Sequence, residues 1–366
     1  MSIGEFFSLL NAHPWGYSVL LLNFVVIFIN GWTDGPNSIA TCVTTKCVTP
    51  KVGVFIAAIF NLIGVLLIGL LGSFLSDFGS VAETIASLVN FDVSTEGALT
   101  DSLIALSAGL LAIIIWSLGS TYFGFPSSES NELVGGITGA GMALAALSGL
   151  NWFSSINWSS WNKVLIGFFG SLILGFVLGY GITKLIELIC RKLKRGETTR
   201  FFTKGQIASA AGMSLVHGIQ DGAKFMGVFM LLGSMLSGES NGEVISSLST
   251  AWWIYIPVAI VMTAGTFMGG YSIIKTLGSQ MTKLEKYQAF ATDIASVIGL
   301  TLATVFGLPV STGTVKSTSI LGGGSTKSLR KVHWDVAGKM IGSWILIFPL
   351  TALIGFLVTV VFASIF

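Results

Sequence analysis

Apolar runs of about 20 residues recur from one end of the chain to the other, each long enough to cross roughly 30 Å of hydrocarbon. In the first half the pattern predicts a broken helix over 14–48, spans near 52–76 and 102–122, a short hairpin-like piece over 126–149 and a span near 163–190. In the second it predicts a broken helix over 204–237, spans near 251–275 and 285–307, a short piece over 309–325 and a span near 337–365. Polar residues interrupt these runs only in short stretches, so no soluble domain is left over. The expected fold is an all-α polytopic membrane protein with roughly 10–12 membrane segments.

Composition agrees. Only 10% of the 366 residues are charged, against about 25% in a soluble domain, and the mean hydropathy is +0.83. The net charge of +2 comes with no basic patch of the size nucleic acid requires, so the expected surroundings are a lipid bilayer and no nucleic acid. Cys42, Cys47 and Cys190 form no CxxC and read as small packing residues. The N-terminus has neither a basic leader nor a small-residue cleavage site, so no signal peptide is expected to be removed. Trp152, Trp158 and Trp161 suit an aromatic belt at one interface.

The most basic stretch, "CRKLKRGETTRFFTKG" at 190–205, falls near the middle of the chain. The positive-inside rule makes it cytoplasmic. It separates a first transmembrane repeat, 1–190, from a second, 204–366, with 191–203 as a basic linker. The repeat is visible in the residues. "GWTDGPNSIAT" from Gly31 aligns without gaps on "GIQDGAKFMGV" from Gly218, pairing Thr33 with Gln220, Asp34 with Asp221, Gly35 with Gly222 and Asn37 with Lys224. Pro126, in "FGFPSSES", follows Asp34 by 92 residues; Pro309, in "FGLPVSTGT", follows Asp221 by 88. If each half crosses the membrane an odd number of times, the halves are inverted repeats with broken helices and re-entrant hairpin-like segments. Both termini then lie outside a multi-pass protein of the cell membrane.

A carboxylate inside a membrane costs several kcal/mol unless it faces water, a cation or a partner. Asp34 and Asp221 could each cap a half-helix, and Asp221 could pair with Lys224. Their matching positions beside helix-weakening glycines point instead to a duplicated cation site, completed by backbone carbonyls freed at the breaks. Asn37 lies one helical turn beyond Asp34. Lys224 is either an anion contact or the counter-ion of Asp221. Proline followed by Ser127 and Ser128, and by Val310, Ser311 and Thr312, suits a helix start whose free amides and hydroxyls hold an oxyanion. Asp293 is a lone carboxylate in an apolar helix and reads as functional; Glu129 and Glu132 sit in the first hairpin-like piece, and His13 and His217 receive no role.

These motifs resemble the inorganic phosphate transporter (PiT) family over almost the whole chain. That family's "GANDVANSFGT" and "HGxNDGQKxMG" correspond to "GWTDGPNSIAT" and "HGIQDGAKFMG", and its "GxPSSSSHALxGG" and "GLPVSTTH" to "GFPSSESNELVGG" and "GLPVSTGTV". The ending "VHWDVAGKMIGSWILIFPLTALIGF" is also similar. The resemblance implies an inverted-repeat symporter, not an enzyme, that imports phosphate with Na⁺ or H⁺ and needs no other cofactor. It implies anion binding by Ser127, Ser128, Ser311, Thr312 and Lys224, and cation binding by Thr33, Asp34, Asn37, Gln220, Asp221 and Asp293. Asp34, Asn37 and Asp221 would be the metal ligands if the ion is Na⁺. Thr33 and Gln220 replace the family's Asn, Asn131 and Thr314 its His, and Glu129 a Ser, so the chain is a divergent member and sulfate is an alternative substrate. A homodimeric assembly is left open. An anion channel is the rival class, but two buried acids give an anion pore nothing. No HExxH or Cys/His metal spacing supports a membrane enzyme.

Overall fold

In hydrocarbon every backbone N–H and C=O must be satisfied within the segment, so long apolar runs become helices. The computed structural model describes residues 1–74, 80–123, 128–238, 251–269, 274 and 281–365. The first half comprises α1 (Ile3–Ala12), α2 (Trp15–Thr33), α3 (Ala40–Thr44), α4 (Pro50–Phe74), α5 (Ser80–Ala86), α6 (Glu96–Phe123), α7 (Glu129–Leu147) and α8 (Trp158–Cys190). The second comprises α9 (Arg195–Ser237), α10 (Trp252–Met268), α11 (Lys286–Val305), α12 (Thr312–Ser325) and α13 (Trp334–Ile365). Among the described residues the sole β feature is one bridge between Val89 and Ile156.

Six segments are long and apolar enough to cross a membrane unaided: Trp15–Thr44, Pro50–Gly69, Glu96–Tyr122, Trp158–Cys190, Lys286–Val305 and Trp334–Ile365. α7, α9, α10 and α12, shorter or more polar, pack among them. The outer faces of α8 and α13 are apolar along their middle turns. Ile166, Ile173, Val177 and Leu188 stand exposed on α8, and Leu346, Leu353, Leu357 and Val361 on α13. Such stripes are aggregation hazards in water and are at home against lipid. Trp152 and Trp158 are exposed, while Trp161 turns inward and donates from Nε1 to Thr138 Oγ1 at 3.1 Å.

Three expectations are corrected. The second half contains no helix break at Asp221: α9 runs unbroken from Arg195 to Ser237. The reason lies one residue beyond the aligned glycines. Pro36 has no N–H and its ring clashes with the preceding turn, so α2 stops at Thr33 and a 3-10 turn, Gly35–Ile39, leads into α3. The matching residue after Gly222 is Ala223, the best helix former. Second, the described part of the hairpin-like piece over 126–149 is one helix, α7, and the short piece over 309–325 contains one helix, α12. Their glycines are contact surfaces. Third, the basic stretch is a loop only as far as Lys194, because α9 begins at Arg195.

The glycine contacts reveal a two-fold relationship. A Cβ on Gly31 would overlap the Met262 carbonyl, and one on Gly218 the Asn61 carbonyl. Likewise Gly64 closes on Leu215 and Gly265 on Phe28. One offset relates Gly31 to Gly218 and Phe28 to Leu215, and a second relates Asn61 to Met262 and Gly64 to Gly265. Hence α2 crosses α10 as α9 crosses α4. Gly139 meets Ala352 on α13 in the way that Gly322 meets Phe176 on α8. Close backbone approach across small residues is how helices associate where lipid removes the hydrophobic drive between them.

These crossings predict a paired effect. Gly139→Ala and Gly322→Ala should each cost about 1–3 kcal/mol by overpacking, seen as a lowered Tm in detergent. Gly170→Ala, where a Cβ meets nothing, should not lower it.

Candidate functional site

The break after α2 falls at Asp34. Its backbone caps α2 and starts the 3-10 turn, and its side chain is buried. Asn37 Nδ2 donates to Asp34 Oδ1 at 3.2 Å, and Asp34 Oδ2 has no hydrogen-bond partner. Thr33 donates back to the Ile29 carbonyl of its own helix at 2.9 Å. The turn is held by Ser38, which donates to the Gly35 carbonyl at 2.7 Å and lies 2.8 Å from the Ser214 hydroxyl of α9.

Asp221, on unbroken α9, is surrounded. Lys224 Nζ lies 2.6 Å from Oδ1, Asn30 Nδ2 donates to Oδ2 at 2.9 Å, and His217 Nδ1 is 3.4 Å from Oδ2. Lys224 also donates to Ser130 Oγ and to the Val310 carbonyl, both at 2.6 Å. An ammonium has three donors, so all three are used, and the structure places Lys224 as the counter-ion of Asp221. Gln220 points elsewhere: Nε2 donates to the Leu308 carbonyl at 2.9 Å and Oε1 accepts from Thr304, which braces the strand of chain before Pro309.

The two Ser/Thr segments start helices, as expected. Ser128 caps α7 and Ser311 caps α12, both with extended backbone; Ser127 lies outside the described residues. The hydroxyls of Ser128, Ser311, Thr312 and Thr314 are buried without any hydrogen-bond partner. In α12 the first return bond is from Val315 N to the Ser311 carbonyl at 3.2 Å, so the amides of the preceding turn have no intrahelical acceptor. A Cβ on Gly313 would stand 3.1 Å from Asn37 Nδ2, which brings the first turn of α12 against the Asp34 break. Ser130 brings α7 against Lys224. Thus two groups form: Asp34, Asn37, Ser311 and Thr312 in one, Asp221, Lys224 and Ser128 in the other.

Asp293 belongs to neither. It pairs with Lys316 of α12 and accepts from Thr41 of α3 at 2.7 Å and Ser209 of α9 at 3.0 Å, all fully or almost fully buried. Lys316 was passed over in the sequence although a single cation in "STGTVKSTSILGGG" is the kind of intramembrane charge that signals a site. Asn30 and His217 were also passed over. They occupy matching places, four residues before Asp34 and Asp221, and the repeat alignment alone could have drawn attention to them. Beyond Asp293, Thr45 donates to Gln206 at 2.8 Å and lines a cavity of about 540 Å³, bounded also by Glu187, Arg191, Phe202 and Lys286. Polar contacts therefore continue from Asp34 along the 3-10 turn and α3 to the end of the bundle carrying the basic stretch. Among the described residues no three His, Cys, Asp or Glu side chains converge on a metal-ion geometry. The donors here are oxygens of carboxylate, amide and hydroxyl, the set that suits a hard cation.

Residues 30–355 match the sequence profile of the phosphate transporter family. The chain belongs to the phosphate transporter family. A probable low-affinity inorganic phosphate transporter of Bacillus subtilis is 32% identical over 328 residues, covering 90% of this chain and 91% of that one. One of the same description from Mycobacterium leprae is 36% identical over 346 residues, covering 92% of this chain and 77% of that one. The solved structure of "the sodium-dependent phosphate transporter" shares the fold, with a TM-score of 0.80 at 21% identity over 96% of this chain and 100% of that one. The membership makes this a multi-pass membrane protein of a transporter family, not of an enzyme family.

Removing one member of a buried pair strands the other's charge. Lys316→Met should destabilise the protein by about 3–5 kcal/mol, and Asp293→Asn/Lys316→Met should recover most of that loss, both read from thermal unfolding in detergent.

Proposed function

We propose that the protein imports inorganic phosphate across the cell membrane together with a cation, Na⁺ or H⁺, by alternating access. The observation that carries this is the meeting of two unsatisfied sets in one buried place. The Asp34 carboxylate has a free oxygen, and beside it the first turn of α12 offers amides and the unpartnered hydroxyls of Ser311 and Thr312. Amides and dipole at a helix start favour an oxyanion. Asp34 favours a cation, and each charge lowers the cost of burying the other, which is the physical basis of coupling. The relatives' descriptions as phosphate transporters support the same reading.

Phosphate is favoured over sulfate by the carboxylates. Asp34 keeps a free oxygen in the site, and a protonated phosphate can donate to a carboxylate, whereas sulfate can only repel it. The two-fold crossings support a pair of inverted repeats moving about a central site. In that arrangement the basic stretch and the 540 Å³ cavity beside it face the cytoplasm and both termini face outside.

Proteoliposomes with independently imposed Na⁺ and pH gradients test this. Labelled phosphate should accumulate above equilibrium under one of the two gradients, and excess sulfate should compete weakly. Asp34→Asn should abolish the gradient-driven accumulation while the purified protein stays monodisperse. Flux that only runs downhill would make the protein a channel.

A further inference from the structure

The two halves place the same parts on both sides of the site but finish them differently. The offset that carries Asp34 to Asp221 carries Asn37 to Lys224, and the offset between Pro126 and Pro309 carries Ser128 to Ser311, Glu129 to Thr312, Ser130 to Gly313 and Asn131 to Thr314. The contacts follow suit: Asn37 abuts Gly313, and Lys224 reaches Ser130. Asp34 therefore faces the start of α12 as Asp221 faces the start of α7.

On the Asp221 side the corresponding positions carry charged side chains of the protein itself. Where Asn37 offers Asp34 a neutral amide, Lys224 offers Asp221 an ammonium, and Asn30 and His217 crowd the other oxygen. Where Thr312 gives α12 an unpartnered hydroxyl at its first helical position, Glu129 gives α7 a buried carboxylate, its two oxygens also without hydrogen-bond partners; the two positions differ in charge. Asn131, in the place of Thr314, donates to the Trp344 carbonyl at 3.2 Å. Ser128 keeps a free hydroxyl, but the adjacent carboxylate opposes a second oxyanion there. On the Asp34 side one carboxylate oxygen and the hydroxyls of Ser311, Thr312 and Thr314 all lack partners, and none of these residues is more than 4% exposed.

We infer that only the Asp34–α12 half of the duplicated site exchanges ligands, taking one cation at Asp34 and one oxyanion at the α12 N-terminus. The Asp221–α7 half carries built-in substitutes for both: the Lys224 ammonium stands for a cation and the Glu129 carboxylate for an anion. This division rests on the oxyanion-transport reading above. It makes the site's residues unequal despite their symmetry, and it sets the number of exchangeable cations at this site to one.

Three measurements on the purified full chain test it. Equilibrium dialysis with labelled phosphate should saturate at one phosphate per chain; two would overturn the division. Ser311→Ala or Thr312→Ala should weaken phosphate binding about tenfold or more, the scale of a lost hydrogen bond to a charged group, and by at least several times the change from Ser128→Ala. Equal losses on the two sides would overturn it. Uptake should depend on the cation with a Hill coefficient of about one in the native protein, rising towards about two in Lys224→Asn, which restores at Asp221 what Asp34 already has. A native coefficient near two would overturn the division. The dialysis arms stand even if Lys224→Asn does not fold. If phosphate binds asymmetrically but is never accumulated, the transport reading fails and the division stands. Gradient-driven accumulation with symmetric losses has the reverse meaning.

Discussion

A carboxylate can stay ionised in the middle of an apolar bundle only if opposite charge or a full set of donors sits with it. Asp293 meets that condition with Lys316 and two hydroxyls, and so ties α11 to α12, α3 and α9. Asp221 meets it with Lys224 and Asn30. Asp34 does not meet it: one oxygen is bound by Asn37 and the other by nothing. The two satisfied acids hold elements of both halves together, and Asp34, with the unpartnered Glu129 at the start of α7, marks where the molecule has affinity left for something outside itself.

The backbone that brings these acids together depends on contacts too close for a Cβ. Gly31 and Gly218 let α2 and α9 lie directly on α10 and α4, and Gly139 and Gly322 do the same for α7 on α13 and α12 on α8. These crossings repeat across the two halves, so duplication supplies a symmetric frame with two carboxylates and two helix starts facing inward. Single substitutions then break the symmetry. Pro36 against Ala223 gives one broken and one continuous helix, Asn37 against Lys224 gives one neutral and one charged partner, and Thr312 against Glu129 gives one hydroxyl and one acid.

Much of this was readable in the residues. Hydropathy of period-independent, 20-residue runs reports the class because lipid permits only satisfied helices. The repeat was readable because the Asp-Gly pairs and the two Pro-Ser/Thr segments recur in order. The helix starts at Ser128 and Ser311 were readable because proline and hydroxyl residues suit first turns. The break at Asp221 was misread because glycine alone only weakens a helix, by about 1 kcal/mol, which tertiary packing overrides; proline was the residue that decided.

The sequence by itself determined the membrane class, the duplication and the identity of the paired acids, since these depend on composition and local order along the chain. Only the tertiary structure decided which acid has a partner. Lys224 is three residues from Asp221, but its other two contacts, Ser130 and Val310, lie 94 and 86 residues away, and Lys316 finds Asp293 from a different helix. Charge pairing in a low-dielectric interior is set by distances of a few ångströms between residues remote in sequence, and no local pattern encodes those distances.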